Sequence, residues 1–134
     1  VGTDWVFRIP AVRPAEARHA NGGTTWMYQF SWDSRLFGGR FGAAHALEIP
    51  FTFNTLDRAG VEAFIGEGAV PHQLAEVIHD AWIAFIRNGN PSTPALGHWP
   101  PYRSDHRSVM EFDDDCRLLN DPAAHERLLW GDIR

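Results

Sequence analysis

The chain has 134 residues, 44% apolar and 22% charged, with a net charge of −5; this is the balance of a soluble globular protein, not of a basic nucleic-acid binder. All twelve cationic residues are arginine, which reads as GC-rich coding and a bacterial source. The single Cys116 excludes an internal disulfide, and no apolar run is long enough to span a membrane.

The first predicted element is a helix from Asp4 toward Ala20. Asp4 is its expected cap, Trp5, Val6, Ile9 and Val12 keep helical spacing, and Ala15 to Ala17 continue the run. Pro10 and Pro14 predict that this helix is broken, kinked or short, and Asn21-Gly22-Gly23 ends it in a turn. Residues 24–32 then alternate, with Trp26, Tyr28, Phe30 and Trp32 on one face, as a strand in a covered position within a sheet. That aromatic face is read as core in preference to a ligand platform. A loop over 33–40 follows, bending at Gly38-Gly39.

The next ten residues, Gly42-Ala43-Ala44-His45-Ala46-Leu47-Glu48-Ile49-Pro50-Phe51, hold the chemistry. An imidazole sits among small residues, three positions before a carboxylate, and both are expected to be buried between apolar runs. Small neighbours let other segments approach closely, and histidine is suited to passing protons near neutral pH. The plain alternative for any single histidine is a satisfied core or surface group. Leu36, Phe37 and Phe41, just upstream, are candidates for an acyl or alcohol pocket, with simple loop packing as the alternative.

Residues 56–66 predict a short helix bearing Val61, Phe64 and Ile65. The strongest periodicity is over 71–88, where Leu74, Val77, Ile78, Ala81, Trp82, Phe85 and Ile86 follow the i, i+3, i+4, i+7 rule. Pro71 is expected in its first turn, with Gly89 and Pro91 as its stop. A proline-rich loop over 92–101, a short strand over 108–112 and a final helix over 122–130, capped by Asp121, complete the chain. His72 and His79 are seven apart, and neither an H-x-x-x-H pair nor a second cysteine is present, so no metal and no cofactor are expected. Asp113-Asp114-Asp115 lacks the glycine and glutamate of a calcium loop and reads as a solvated turn.

The His45 run resembles the histidine motif of type B carboxylesterases, the group of para-nitrobenzyl esterases and cholinesterases. The order of the other segments is similar too: Asp4 to Ala11, Trp26-Met27-Tyr28-Gln29-Phe30, Asp80 to Phe85 followed by Gly89-Asn90-Pro91, Trp99-Pro100 with Tyr102, and Met110-Glu111-Phe112-Asp113. The Asn90-Pro91 step departs from the family's usual acidic-Pro form. The resemblance implies an α/β architecture, namely the C-terminal part of an α/β-hydrolase fold: last core strand, catalytic-histidine loop, long packing helix and short closing strand. It implies that residues 1–134 form the C-terminal portion of one domain, with His45 as the general base of a Ser–acid–His triad.

In that fold the triad runs Ser, then Asp or Glu, then His, with the serine on a Gly-x-Ser-x-Gly elbow. Ser31, Ser34, Ser92, Ser104 and Ser108 all lack that spacing, so nucleophile, oxyanion hole and triad acid are expected upstream of Val1, which is itself not a start methionine. Glu48 matches a family glutamate beside the histidine loop, whose role is to support loop backbone, water or the imidazolium; an ordinary loop carboxylate is the equal alternative. The partners implied are a small carboxylic ester and the N-terminal remainder of the same enzyme, with no nucleic acid and no membrane span. The compartment, cytoplasmic or secreted, stays open. A truncated remnant acting as a non-catalytic binding or interaction module is the second function class. Either way, a piece with two convincing strands is expected to expose apolar surface and to aggregate.

Overall fold

The computed structural model describes residues 2–131. These divide into two compact units. One runs through residue 27, resumes over 100–109 and again from 118 on; the other holds 28–99 and 110–117.

In the first unit a π-helical turn, Asp4–Arg8, runs without a break into helix α1, Ile9–Ala20. The prolines do not break it, so of the broken, kinked or short helix expected the break is absent. Pro10 falls in the first turn of α1, where a missing N–H matters least, and the widened π turn closes by pairing the Ile9 N–H with the Asp4 carbonyl. Only Pro14 lies in the helix interior. Asp4 is not the cap: the residue before it is already helical, and its carboxylate accepts from Arg8 Nε at 3.1 Å. Asn21 and Gly22 do end the helix as expected.

Ala15 of α1 packs with Tyr102, Val109 and the partly buried Met27, and the Tyr102 N–H donates to the Thr25 carbonyl at 2.7 Å. Two ion pairs flank this small core, Arg107–Glu16 at 2.9 Å and Arg127–Asp121 at 2.7 Å. The last helix, α5, spans Ala124–Leu129. Asp121 does not cap it either, because both of its oxygens are taken by the Arg127 guanidinium.

In the second unit, strand β1 is only Tyr28–Phe30, shorter than the alternating run over 24–32. It pairs in parallel with β2, Ser108–Phe112, in the register Tyr28↔Met110, Gln29↔Glu111 and Phe30↔Phe112. The sheet order is β1-β2-β3, with β3 at Arg117–Asn120; of these strands, β1, residues 110–112 of β2 and Arg117 of β3 belong to this unit. Thus β1 lies at an edge of the described sheet, not in the covered position predicted, and Tyr28 is 39% exposed. All five residues of β2 are buried, so the segment expected to close the sheet is its central strand.

Between β1 and β2 the chain makes α2, Ile49–Thr52, α3, Glu62–Ile65, and α4, His72–Asn88. A parallel pair requires such a crossover. The α4 periodicity holds in its first half, where Leu74, Ala75, Ile78 and Ala81 are buried, whereas Phe85 and Ile86 at its end are exposed. Pro71 is the cap rather than a first-turn residue, and Gly89 ends the helix in the left-handed conformation. The core is aromatic: Phe112 meets Trp99 edge-on at 5.7 Å, and Tyr28 meets Trp82 edge-on at 4.9 Å. The three-aspartate turn is more than solvated, since Trp32 Nε1 donates to Asp114 at 3.1 Å.

Candidate active site around His45

His45 lies in a hydrogen-bonded turn. The Leu47 N–H donates to the Ala44 carbonyl at 3.2 Å and the Ile49 N–H to the Ala46 carbonyl at 3.3 Å. His45 and Ala46 are the central residues of the first of these turns, and Ala46 takes φ +68°. That angle at the third position of a four-residue turn is normally left to glycine. The residue after His45 is therefore held in a conformation its own side chain disfavours, and the surroundings must impose it.

The imposing contacts are identifiable. Leu47 is fully buried, as is Phe51 one helical turn later; Phe51 packs on Phe30 at 5.1 Å and Trp32 at 5.2 Å. These anchors fix the turn by its C-terminal side. The imidazole of His45 stays exposed, and Glu48 is half-buried. Both were expected to be buried. The difference has a simple source: the apolar residues around them, Leu47 and Phe51, take the inward positions, and a tight turn cannot also direct its neighbours inward.

The N-terminal side of the site is a loop over 33–42. Ser34, fully buried, donates its hydroxyl to the Phe64 carbonyl and accepts from the Leu36 N–H at 3.2 Å, while the Arg35 N–H donates to the Ile65 carbonyl at 3.0 Å. The Arg35 guanidinium donates to the Ala69 carbonyl and lies over the Trp32 ring at 5.8 Å. The backbone comes so close here that a Cβ on Gly66, itself at φ +80°, would sit 2.6 Å from the Leu36 nitrogen. Ser34 and Gly42 pair as an isolated bridge across the loop.

The three candidate pocket residues separate. Leu36 is half-buried and lines a cavity of about 670 Å³ together with Leu56, Ile65, Val70 and the charged Arg58 and Glu67. Phe37 and Phe41 are 71% and 41% exposed, meet edge-on at 6.4 Å, and do not line that cavity. His45 does not line it either.

Two further side chains, Tyr28 and His79, bear on the site in ways that the sequence did not indicate. Burial pushes the Tyr28 phenol up from its ordinary value, and the negative charge of Glu48 adds to the rise, so strand β1 and the histidine turn are electrostatically coupled. His79 Nδ1 lies 2.9 Å from the Thr52 carbonyl, joining α4 to α2. Neither has a sequence signature, because each depends on residues at least 20 positions apart meeting in space. Among the described residues no group of three metal-ligating side chains converges.

A family model described as "Carboxylesterase family" matches residues 1–130. The chain belongs to the carboxylesterase family. It is 36% identical over 129 residues to the para-nitrobenzyl esterase of Bacillus subtilis, covering 93% of this chain and 25% of that protein. It is 38% identical over 115 residues to the phenmedipham hydrolase of Pseudarthrobacter oxydans, covering 84% of this chain and 23% of that one. The chain thus spans about a quarter of the length of these relatives.

Solved carboxylesterases superpose on it. A PNB esterase matches with a TM-score of 0.83 at 37% identity over 94% of this chain and 25% of its own. A carboxylesterase of Geobacillus stearothermophilus matches with a TM-score of 0.81 at 32% identity, over 96% of this chain and 26% of its own. These similarities place the partial sheet and its helices in the α/β-hydrolase fold.

Proposed function

We propose that this chain is the C-terminal portion of a single serine-carboxylesterase domain and supplies the general base, His45, of its triad. The observation that carries the reading is the match to carboxylesterases over residues 1–130, at a quarter of the relatives' length, in a segment with no Gly-x-Ser-x-Gly elbow. An exposed imidazole on a fixed turn is consistent with it, since a base must be presented to a nucleophile held elsewhere.

In this reading His45 takes the proton of a serine hydroxyl as that oxygen attacks the ester carbonyl. It returns the proton to the departing alcohol, then repeats the exchange with water to release the acid. Proton transfer of this kind contributes roughly 10²–10⁴-fold in rate. Glu48, three residues on and half-buried, is a supporting carboxylate of the histidine loop and not the triad acid, which precedes the histidine in chain order. Leu36, Phe37 and Phe41 remain the candidates for an acyl or alcohol pocket, one that the rest of the enzyme would have to complete, with loop packing as the alternative. The substrate is a small carboxylic ester.

The coding sequence upstream of Val1 tests the assignment without any assay. A Gly-x-Ser-x-Gly segment followed by an acidic triad residue is expected there, and its absence would sink the esterase reading.

A further inference from the structure

We propose that His79 is a positioning residue for the His45 turn, acting as a side-chain cap on the last carbonyl of α2; the consequence for catalysis rests on the reading of His45 as general base. Helix α2 has four residues, Ile49–Thr52, and begins directly after the histidine turn. So short a helix finds no partners for its carbonyls within itself; the N–H groups of Phe53, Thr55 and Asn54 take those of Ile49, Pro50 and Phe51, which leaves that of Thr52. The Thr52 carbonyl meets His79 Nδ1 at 2.9 Å, a contact between half-buried groups 27 residues apart. A carbonyl can only accept, so the proton sits on Nδ1 and the ring donates. Side chains of histidine do satisfy the last carbonyls of helices; here the donor comes from a second helix.

The choice of supporting element matters. Helix α4 has seventeen residues and its buried face, Leu74, Ala75, Ile78 and Ala81, includes the position just before His79. The imidazole therefore ties the last carbonyl of α2 to the longest helix, adding to the hold that buried Phe51 gives the helix from its other face. Upstream of Thr52 the chain passes through Glu48 and the Ala46–Ile49 hydrogen bond to the strained Ala46 and then His45. Because Ala46 at φ +68° prefers to relax, a loosened α2 lets the turn open and the imidazole swing.

Amide hydrogen exchange on the 134-residue chain, comparing wild type with His79→Leu and His79→Asn, tests this. Leucine keeps bulk and removes the donor; asparagine places an amide N–H near the position of Nδ1. The expected result is exchange of the Leu47 and Ile49 amides faster by roughly tenfold in the leucine variant and within about twofold of wild type in the asparagine variant, with Ile78 in α4 protected in all three. Equal rates in wild type and His79→Leu overturn the proposal, as does equal acceleration in both variants. If the leucine variant loses protection everywhere, the asparagine variant decides, by retaining the protection of Leu47 and Ile49 or losing it. Within the assembled enzyme the leucine variant lowers kcat by roughly tenfold with KM within about twofold, as a misplaced base does. A KM effect alone overturns the catalytic consequence, whereas unaltered exchange overturns the positioning itself, with or without esterase activity.

Discussion

At the scale of single residues, the site is set by two backbone positions, Ala46 within the His45 turn and Gly66 against the loop that precedes it. Ala46 holds φ +68°, which costs a residue with a Cβ about 1–2 kcal/mol, while glycine forfeits about 0.5–1 kcal/mol of that in chain entropy. Ala46→Gly is therefore expected to raise the urea midpoint, with a gain up to about 1 kcal/mol; an unchanged or lower midpoint would show that the turn is not strained. At Gly66 both factors oppose a side chain, since a Cβ would stand 2.6 Å from the Leu36 nitrogen and 2.7 Å from the Arg35 carbonyl carbon. Gly66→Ala is expected to destabilise by more than about 2 kcal/mol in the same titration. The sequence marks His45 by its small neighbours, but neither of these constraints. Alanine is not a residue that advertises a positive φ, and Gly66 owes its necessity to a segment 30 residues away.

At the scale of elements, legibility follows the number of local constraints. Helix α4 is readable almost to the residue because its stripe, cap and glycine stop all lie within one window. Strand β1 is overestimated, since alternation over 24–32 reports only which side chains share a face, while the three-residue ladder is set by where β2 comes alongside. Strand β3 escapes the pattern, since Arg117–Asn120 is largely exposed; α5 falls within the helix expected over 122–130, but Asp121, which looks like its cap, is an ion-pair partner instead.

That pair has a pH signature. The Arg127 guanidinium holds the Asp121 carboxyl below its ordinary range. A carboxyl depressed in the folded state contributes stability above its unfolded value, about 3.9, and loses it as pH falls through the folded one. Asp121→Asn is thus expected to be less stable than the wild type at pH 7. The gap should close below about pH 4; a gap independent of pH in thermal melts would mean that packing, not charge, makes the difference.

At the scale of the whole molecule, the apolar inventory is only partly used. Phe85 and Ile86 of α4, Ile49 and Phe53 around α2, and Leu128 and Leu129 around α5 are all between 46% and 73% exposed, and β1 lies at the edge of the described sheet. Exposed edges and apolar faces of this kind associate. Sedimentation velocity of the isolated chain is expected to show association that grows with concentration and is reduced by Phe85→Ser with Ile86→Ser. A monomer at every concentration, unfolding in one cooperative step, would argue that the chain is self-sufficient.

His45, as proposed, is a base that works only with a nucleophile outside these 134 residues. Hydrolysis of a short p-nitrophenyl ester, measured for the isolated chain and for the chain joined to its upstream coding sequence, each with His45 and with His45→Ala, tests it most directly. Turnover is expected from the joined protein with His45 alone, falling by at least about 10²–10⁴-fold on substitution. Turnover by the isolated chain that His45→Ala abolishes, or a joined protein indifferent to that substitution, would contradict it.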